Sequence, residues 1–163
     1  MKAPICEICL RSSILCSACK EKLDTGSITD ADVKVSRTIF EASDRFRSLR
    51  SVTVKRVIET PGNTIIITET ADAAKIIGKG GLIVKDLTKT IGKNVRVVEE
   101  TSDRREFIER LVFPARVSAV NVLYSDGGEM LKAIVDRRPG ISEQNLREIV
   151  KQVYGQDIVL ASE

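Results

Sequence analysis

The chain has 163 residues, 26 of them basic and 23 acidic, and its mass of 18.0 kDa allows one ordinary domain or two small ones with an appendage. The net charge of +3 is too small to indicate a nucleic-acid-binding surface by itself. The absence of histidine excludes serine–histidine triads and histidine metal ligands, and the aromatic content of 4% argues against a sheet that stacks bases on aromatic side chains. No apolar run approaches the roughly 20 residues of a membrane span, and the N-terminus lacks the apolar stretch of a signal peptide, so we expect a cytoplasmic protein with no membrane partner.

Four cysteines near the N-terminus form two C-x-x-C pairs, Cys6 with Cys9 and Cys16 with Cys19, and six residues separate the pairs. Each pair points two thiolates at one place, and the spacer lets the chain double back, so the four can form the tetrahedral set that Zn²⁺ prefers. Without histidine the site is all-thiolate and closed, which is typical of a structural ion. We therefore expect one structural zinc ion in a knuckle over residues 1–24, with the metal supplying most of the folding energy of this segment.

Three other uses of these cysteines stay open. Two disulfide bonds are one alternative, which a reducing compartment disfavours. A redox-active dithiol is another, although no thioredoxin-like strand and helix surround either C-x-x-C pair. Iron is the third, because the same thiolates bind it, so the sequence favours zinc without excluding iron.

The next segments predict a helix followed by a hairpin. Thr29, with acidic residues at positions 30 and 32, has the pattern of a helix N-cap, and the apolar stripe after it predicts a helix of about 20 residues that ends near Leu49. Residues 52–58 and 64–70 are rich in β-branched side chains, which predicts two strands. Proline and glycine occupy the central positions of residues 60–63, as a type II turn requires, so the two strands form a hairpin.

A short helix, a glycine-rich turn, a longer helix and a strand follow. Residues 72–77 predict a helical turn, and residues 82–91 predict a helix with apolar residues at every fourth position. Gly92 ends this helix as a C-cap glycine, and residues 94–99 predict the third strand. Between the two helices, residues 78–81 read Gly-Lys-Gly-Gly.

The second half of the chain repeats this order. The predicted elements are a helix over 102–111 capped by Ser102, hairpin strands over 116–124 and 129–135, a helix over 142–154 and a strand over 157–161. The two halves match at a constant offset of 63 residues: Ile83, Leu87, Ile91 and Gly92 correspond to Leu146, Val150, Tyr154 and Gly155. This match predicts an internal duplication. The second copy is about five residues shorter, and residues 136–141 replace the short helix and the glycine-rich turn.

The Gly-Lys-Gly-Gly turn has the properties of a phosphate-binding loop. Glycines let the backbone turn tightly, the helix after it offers unpaired N–H groups, and Lys79 adds a full positive charge. From Lys75 to Arg96 there are six basic residues against one acid, Asp86, so this segment is more positive than the whole chain. Such a patch fits contact with a nucleic-acid backbone, although lysines on a solvated helix face are the simpler alternative. The spacing matches neither a nucleotide P-loop nor a dinucleotide-binding turn.

With a hairpin before it, a helix on each side and a strand after it, this turn resembles the GXXG motif of the KH domain in its type II form, α-β-β-α-α-β. The resemblance implies an α+β fold with a first KH domain (28–101) and a second, degenerate KH domain (102–163) that lacks GXXG, and the expected zinc knuckle (1–24) precedes them. The tandem arrangement and the joining segment 107–117 are similar to the NusA family of transcription elongation and termination factors, whose archaeal members contain little more than this pair. The knuckle and the missing second GXXG depart from the family pattern, and the polymerase-binding domain of bacterial members is absent.

The resemblance implies binding of single-stranded RNA, with about four nucleotides in the groove and the GXXG loop against the RNA backbone. It assigns the following residues to the RNA: Lys75, Ile77, Gly78, Lys79, Gly80, Gly81, Lys85 and Arg96. Ile76 and Leu82 are further apolar candidates, although each of them, like Ile77, could equally be an ordinary core residue. The RNA would be a nascent transcript, with RNA polymerase as a partner, or ribosomal RNA, with the protein as a ribosome-associated or assembly factor. Arg137 and Arg138 either replace the missing second loop or form a plain exposed turn.

Two other classes of function differ from this expectation. In an interaction adaptor, the knuckle and the second copy would bind a protein, and RNA contact would be secondary. An enzyme is not expected, because the sequence shows no nucleophile–base pair, no open metal site and no paired carboxylates.

Overall fold

The computed structural model describes all 163 residues, and these divide into two units, Met1–Glu100 and Thr101–Glu163. No helix in either unit combines the length and the apolar character that a membrane crossing needs.

The first unit contains five helices and a three-stranded sheet. Its elements are α1 (Glu7–Arg11), α2 (Ser17–Asp24), α3 (Asp30–Ala42), β1 (Val54–Glu59), β2 (Asn63–Thr68), α4 (Ala73–Ile77), α5 (Leu82–Ile91) and β3 (Asn94–Glu99). The strand order is β1-β2-β3, in which β1 is antiparallel and β3 parallel to the central strand β2. The parallel pairing needs a crossover, and the two helices α4 and α5 supply it.

The core of this unit lies between one face of the sheet and the helices. Ile39 of α3, Leu87 of α5 and Ile66 of β2 are fully buried in one apolar cluster. The helix predicted from the apolar residues at every fourth position of 82–91 is therefore confirmed, and these residues place one side of α5 against the sheet.

Helix α3 begins as predicted, but the prediction that it continues to Leu49 is wrong. Thr29 and Asp32 form a capping box, and Asp32 also accepts a 2.6 Å hydrogen bond from the N–H of Val57, which ties the helix to β1. The helix ends at Ala42, where the hydroxyl of Ser43 bonds back to a carbonyl of the last turn. A 3₁₀ turn over Arg47–Ser51 follows, and its Leu49 is fully buried in the core cluster.

The hairpin turn also differs from the prediction. Gly62 does not have a positive φ, so residues 60–63 do not form a type II turn. The hydroxyl of Thr60 accepts a hydrogen bond from the N–H of Asn63 instead, and the N–H of Thr60 donates to the carbonyl of Asn63. A side-chain bond thus closes the turn, so glycine is not needed for its conformation.

The second unit has the same strand arrangement with fewer helices. Its elements are α6 (Arg104–Val112), β4 (Val117–Ser125), β5 (Gly128–Val135), α7 (Glu143–Tyr154) and β6 (Asp157–Ser162). The order is β4-β5-β6, with β4 antiparallel and β6 parallel to β5. Asp103, and not the predicted Ser102, caps α6, because its carboxylate accepts from the N–H groups of Arg105 and Glu106.

The offset of 63 residues extends to irregularities of the strands. The register of the first strand shifts between Val54 and Arg56 in one unit and between Val117 and Ala119 in the other. Because Val54 pairs with Thr68 and Val117 with Val135, these two partners are the equivalent strand ends. From these strand ends to the matched helix positions Ile83 and Leu146, the connection is four residues shorter in the second unit, close to the five or so that the sequence comparison predicted.

Candidate functional site

The Gly-Lys-Gly-Gly turn, called the glycine loop below (residues 78–81), joins α4 to α5. Gly78 has φ 75° and ψ 170°, Gly80 has φ 61°, and Gly81 has φ 75°. The angles of Gly78 are nearly restricted to glycine, and the left-handed conformation of Gly80 and Gly81 favours glycine over other residues. Lys79 is the one residue of the loop that carries a side chain, and it is exposed.

The three glycines differ in the space around them. A Cβ on Gly78 would lie 2.6 Å from Cγ1 of Ile83, a buried residue of α5, whereas a Cβ on Gly80 would meet nothing within 4 Å. Gly78 also accepts a 3.1 Å hydrogen bond from the N–H of Gly81. Gly78 is therefore the tightly packed glycine of the loop, called the packed pivot below, and Gly80 is the solvent-exposed glycine at its tip.

Three exposed lysines, Lys79, Lys85 and Lys89, lie on the loop and on α5 and form no ion pair with the protein. A Cβ on Gly81 would lie 3.9 Å from Cε of Lys85, so that side chain leans toward the loop, as helical side chains do toward the N-terminus. Lys89 follows Lys85 at the i+4 spacing that places both on one side of the helix. Sequence reasoning left Lys89 out of the site, although this spacing could have identified it.

Other charges of the basic segment are partly neutralised. Lys75 forms a 2.8 Å ion pair with Asp72, whose carboxylate also accepts from the N–H of Thr53. These two hydrogen bonds, that of Lys75 first, hold the pKa of Asp72 below its usual value in spite of burial. Asp86, the one acid of the segment, is paired with Arg45 at 2.8 Å. The net effect is that positive charge is concentrated at the glycine loop and along α5.

Apolar candidates separate into core and surface. Ile76 is fully buried in the core, which is one of the two alternatives that the sequence left open for it. Ile77 is half-buried, and Leu82, the first residue of α5, is 61% exposed. Both can offer apolar contact to a base beside the glycine loop.

Arg96 is not brought to the glycine loop. Side chains alternate along β3, and Val95 and Val97 face the helices in the core cluster. Arg96 therefore lies on the opposite face of the sheet, where burial lowers the pKa of its guanidinium.

The free edge of β3 completes the candidate groove. Strand β3 is the outer strand of the sheet, and α4 and α5 both lie against it. The N–H groups of Asn94 and Glu100 donate toward β2, so the backbone groups of Val97 point away from β2. Edge groups of this kind hydrogen-bond an incoming ligand, and here they lie on the side of the helices that carry the loop.

The four cysteines lie together at a second candidate site, and their sulfur atoms are within 4.8 Å of one another. Cys6 and Cys16 are the N-cap residues of α1 and α2 and are 3.9 Å apart at their Sγ atoms. Tetrahedral Zn–S bonds of about 2.3 Å place neighbouring sulfurs about 3.8 Å apart. The arrangement therefore fits one metal ion bound by four thiolates.

Backbone N–H groups and mutual repulsion shape the acidity of the cysteines. The N–H of Cys19, together with bonds to the other cysteines, lowers the pKa of Cys16 to about 7, and the N–H of Cys9 lowers the pKa of Cys6. The N–H of Cys16 favours the thiolate of Cys9, but burial and the three neighbouring sulfurs outweigh it and raise the pKa of Cys9 to about 12. Four thiolates at this distance need a cation to coexist, which is what a bound metal supplies.

The cluster is anchored to α3. Ile5, Leu10 and Val33 form a small apolar core with Cys9 and Cys19. The Nε of Arg37 donates a 3.0 Å hydrogen bond to the carbonyl of Cys9. The packing of α3 is therefore coupled to the arrangement of the four cysteines.

Comparisons with known proteins agree with this geometry. A family model described as "KH domain" matches residues 34–122, which is more than half of the chain and includes the glycine loop. A solved structure titled "Crystal structure of APE1850" superposes with a TM-score of 0.58 at 22% identity, over 76% of this chain and 96% of that one. That likeness supports the fold. The comparison with curated proteins finds no match.

Proposed function

The chain belongs to the KH-domain family, and from this premise we propose that it binds single-stranded RNA at the glycine loop and the groove beside β3. One observation carries the proposal: the loop has three glycines with positive φ and one exposed, unpaired lysine, at the start of a helix that carries two more unpaired lysines. This arrangement suits a chain of phosphates followed by bases.

Different residues of the groove contact the RNA backbone and the RNA bases. Lys79 and the open N-terminus of α5 contact phosphate, with Lys85 and Lys89 extending the positive surface. Ile77 and Leu82 contact the base faces, and the outward backbone groups of Val97 bond the base edges. We expect about four nucleotides in this groove.

Several finer assignments belong to the same proposal. The second unit is a degenerate KH copy without GXXG, supported by its strand order and the 63-residue offset, so the domains are residues 1–24, 28–101 and 102–163. The four cysteines bind one structural zinc ion, which the sulfur spacing supports. The protein acts on RNA without catalysis in the cytoplasm, as a NusA-like transcription factor on nascent transcripts.

A charge-reversed loop tests the RNA-binding surface. The double variant Lys79→Asp/Gly80→Asp should bind labelled single-stranded RNA at least about tenfold more weakly at low salt, because a phosphate contact becomes repulsive. Aspartate tolerates the left-handed conformation, and the space around Gly80 is open, so the variant should fold. The matched control is Lys79→Gln/Gly80→Asn, which has nearly the same shape without negative charge and should lose less affinity.

The salt dependence of binding gives a second readout. Removing one phosphate contact should reduce the slope of log K against log salt by about 0.7. Fluorescence anisotropy across a salt series measures both quantities. Equal affinity of wild type and the charge-reversed variant would show that the glycine loop is not the RNA-binding surface, and the interaction-adaptor function would then be favoured.

Crosslinking in native cells distinguishes the settings. Crosslinks spread over nascent messages, and lost in the charge-reversed variant, would support the transcription factor. Crosslinks at one position of ribosomal RNA would favour the ribosome-associated function instead.

A further inference from the structure

The second unit contains a cavity of about 690 Å³ between residues 137–143 and the outer strand β6. Arg137, Arg138 and Glu143 line one side, and Leu160 and Ser162 line the other. The first unit uses the glycine loop at the corresponding position, and the second unit has no such loop.

The 63-residue offset relates this cavity to the first groove. Leu160 corresponds to Val97, on the outer strand of the same three-strand arrangement. The N–H of Glu163 donates toward β5, so the N–H of Leu160 points away from β5 and into the cavity. Glu143, which corresponds to Gly80, accepts a 3.4 Å hydrogen bond from this N–H.

The cationic side of the cavity suits a phosphate group. Arg138 is exposed and forms no ion pair or hydrogen bond with the protein. Arg137 is held by Asp136 at 3.0 Å but is 63% exposed. A guanidinium presents a planar fork of donors that matches phosphate oxygens, so an arginine can bind backbone phosphate where no glycine loop exists.

The carboxylate of Glu143 suits a base with hydrogen-bond donors. One oxygen of Glu143 accepts from Leu160, and the second has no protein partner. Among the four bases, guanine presents two adjacent donors, N1–H and the N2 amino group, which a carboxylate can accept together. Uracil has one N–H between two carbonyls, and those carbonyls would face the carboxylate unfavourably.

We propose that this cavity is a second RNA-binding groove that holds a backbone phosphate on Arg138 and a guanine on Glu143. The proposal rests on the proposed RNA-binding function, but it places a separate site in the second unit with different recognition chemistry.

The test uses the full chain with the first groove disabled by Lys79→Asp/Gly80→Asp. The probes are the tetranucleotides UGUU, UIUU and UAUU, where inosine lacks only the N2 amino group of guanine. We expect residual binding of UGUU, about tenfold weaker binding of UIUU because one hydrogen bond to a charged group is lost, and still weaker binding of UAUU. Adding Glu143→Gln should remove the preference for guanine over inosine.

A charge change in the same unit provides the control. Adding Arg138→Glu should weaken residual UGUU binding about tenfold or more, whereas Lys151→Glu, an equal charge change on an exposed residue of α7, should have little effect. Amide NMR should show shifts at Leu160 on addition of UGUU and none in Arg138→Glu.

The outcomes separate the two proposals. If the disabled loop abolishes all RNA binding, the first groove is the RNA site and the second-groove proposal is wrong. If Arg138→Glu alone abolishes binding and the loop variant does not, the second groove is right and the loop assignment is wrong. If neither groove's variants change RNA binding, both proposals fail, and the RNA binds at another surface of the chain.

Discussion

Replacing each of two glycines of the loop by alanine tests the packing of the candidate site directly. At Gly78 the φ/ψ combination is nearly restricted to glycine, which costs about 1–3 kcal/mol in an alanine variant. The new Cβ would also overlap Ile83, at 2.6 Å from Cγ1 and 2.9 Å from Cδ1, which adds about 1–3 kcal/mol of overpacking. At Gly80 the left-handed conformation costs about 1–2 kcal/mol, and no atom is near the new methyl group.

Alanine also restricts the unfolded chain, which offsets about 0.4–1 kcal/mol at both positions. We therefore expect Gly78→Ala to lower the free energy of unfolding by about 1–5 kcal/mol, centred near 3, and Gly80→Ala by about 0–1.5 kcal/mol, centred near 1. A typical domain has only about 5–15 kcal/mol of stability, so the first loss is large.

Urea denaturation combined with native-state hydrogen exchange of the β2 amides measures the difference. Both tyrosines, Tyr124 and Tyr154, lie in the second unit, so tyrosine fluorescence serves as an internal control for that unit and should change little. Equal losses for the two variants, or a larger loss at Gly80, would refute the inference that Gly78 is the packed pivot.

Three further predictions concern the rest of the first unit. Asp72→Asn should cost about 1–3 kcal/mol at pH 7, because Lys75 and the N–H of Thr53 lose the carboxylate that accepts their hydrogen bonds. The folded pKa of Asp72 is depressed, so its stabilisation is present above the unfolded pKa of about 3.9 and is lost as the pH falls through the folded pKa. In pH-dependent urea titrations, the difference in the free energy of unfolding between wild type and variant should therefore close below about pH 4. A difference that does not depend on pH would contradict this. Asp32→Ala should cost about 2–4 kcal/mol, since it removes a helix cap and the hydrogen bond to the buried N–H of Val57. Thermal unfolding followed by circular dichroism measures this loss. The control is Asp30→Ala, which removes an exposed side chain and should change stability little. Elemental analysis should find one zinc per chain, lost in Cys9→Ser together with hydrogen-exchange protection over residues 1–24; full protection without metal would show that the cluster is not a folding site.

The distribution of charge shows how sequence and structure contribute differently to the site. Counting residues identifies a basic segment around the glycine loop, but a count treats all its lysines alike. The fold pairs Lys75 with Asp72 and leaves Lys79, Lys85 and Lys89 unpaired. A carboxylate three residues away was visible in the sequence, whereas the pairing of Asp86 with Arg45 joins residues 41 positions apart and was not.

Local patterns in the sequence determined the features that depend on neighbouring residues. The bounds of α5 and β3, the C-cap at Gly92, the N-cap at Thr29 and the two C-x-x-C pairs all follow from spacing within a few positions, because helix periodicity and caps are short-range properties. The 63-residue offset also required only the sequence.

Only the tertiary structure decided features that depend on which surfaces meet. Helix α3 ends at Ala42, where the hydroxyl of Ser43 bonds back to the last turn, and a 3₁₀ turn then brings Leu49 into the core. Ile76 is buried because α4 packs against β3. Arg96 lies on the far face because strand alternation fixes its side once Val95 and Val97 are buried. The cavity beside Arg138 arises from the packing of a connection against β6, segments about 20 residues apart whose meeting no local pattern specifies.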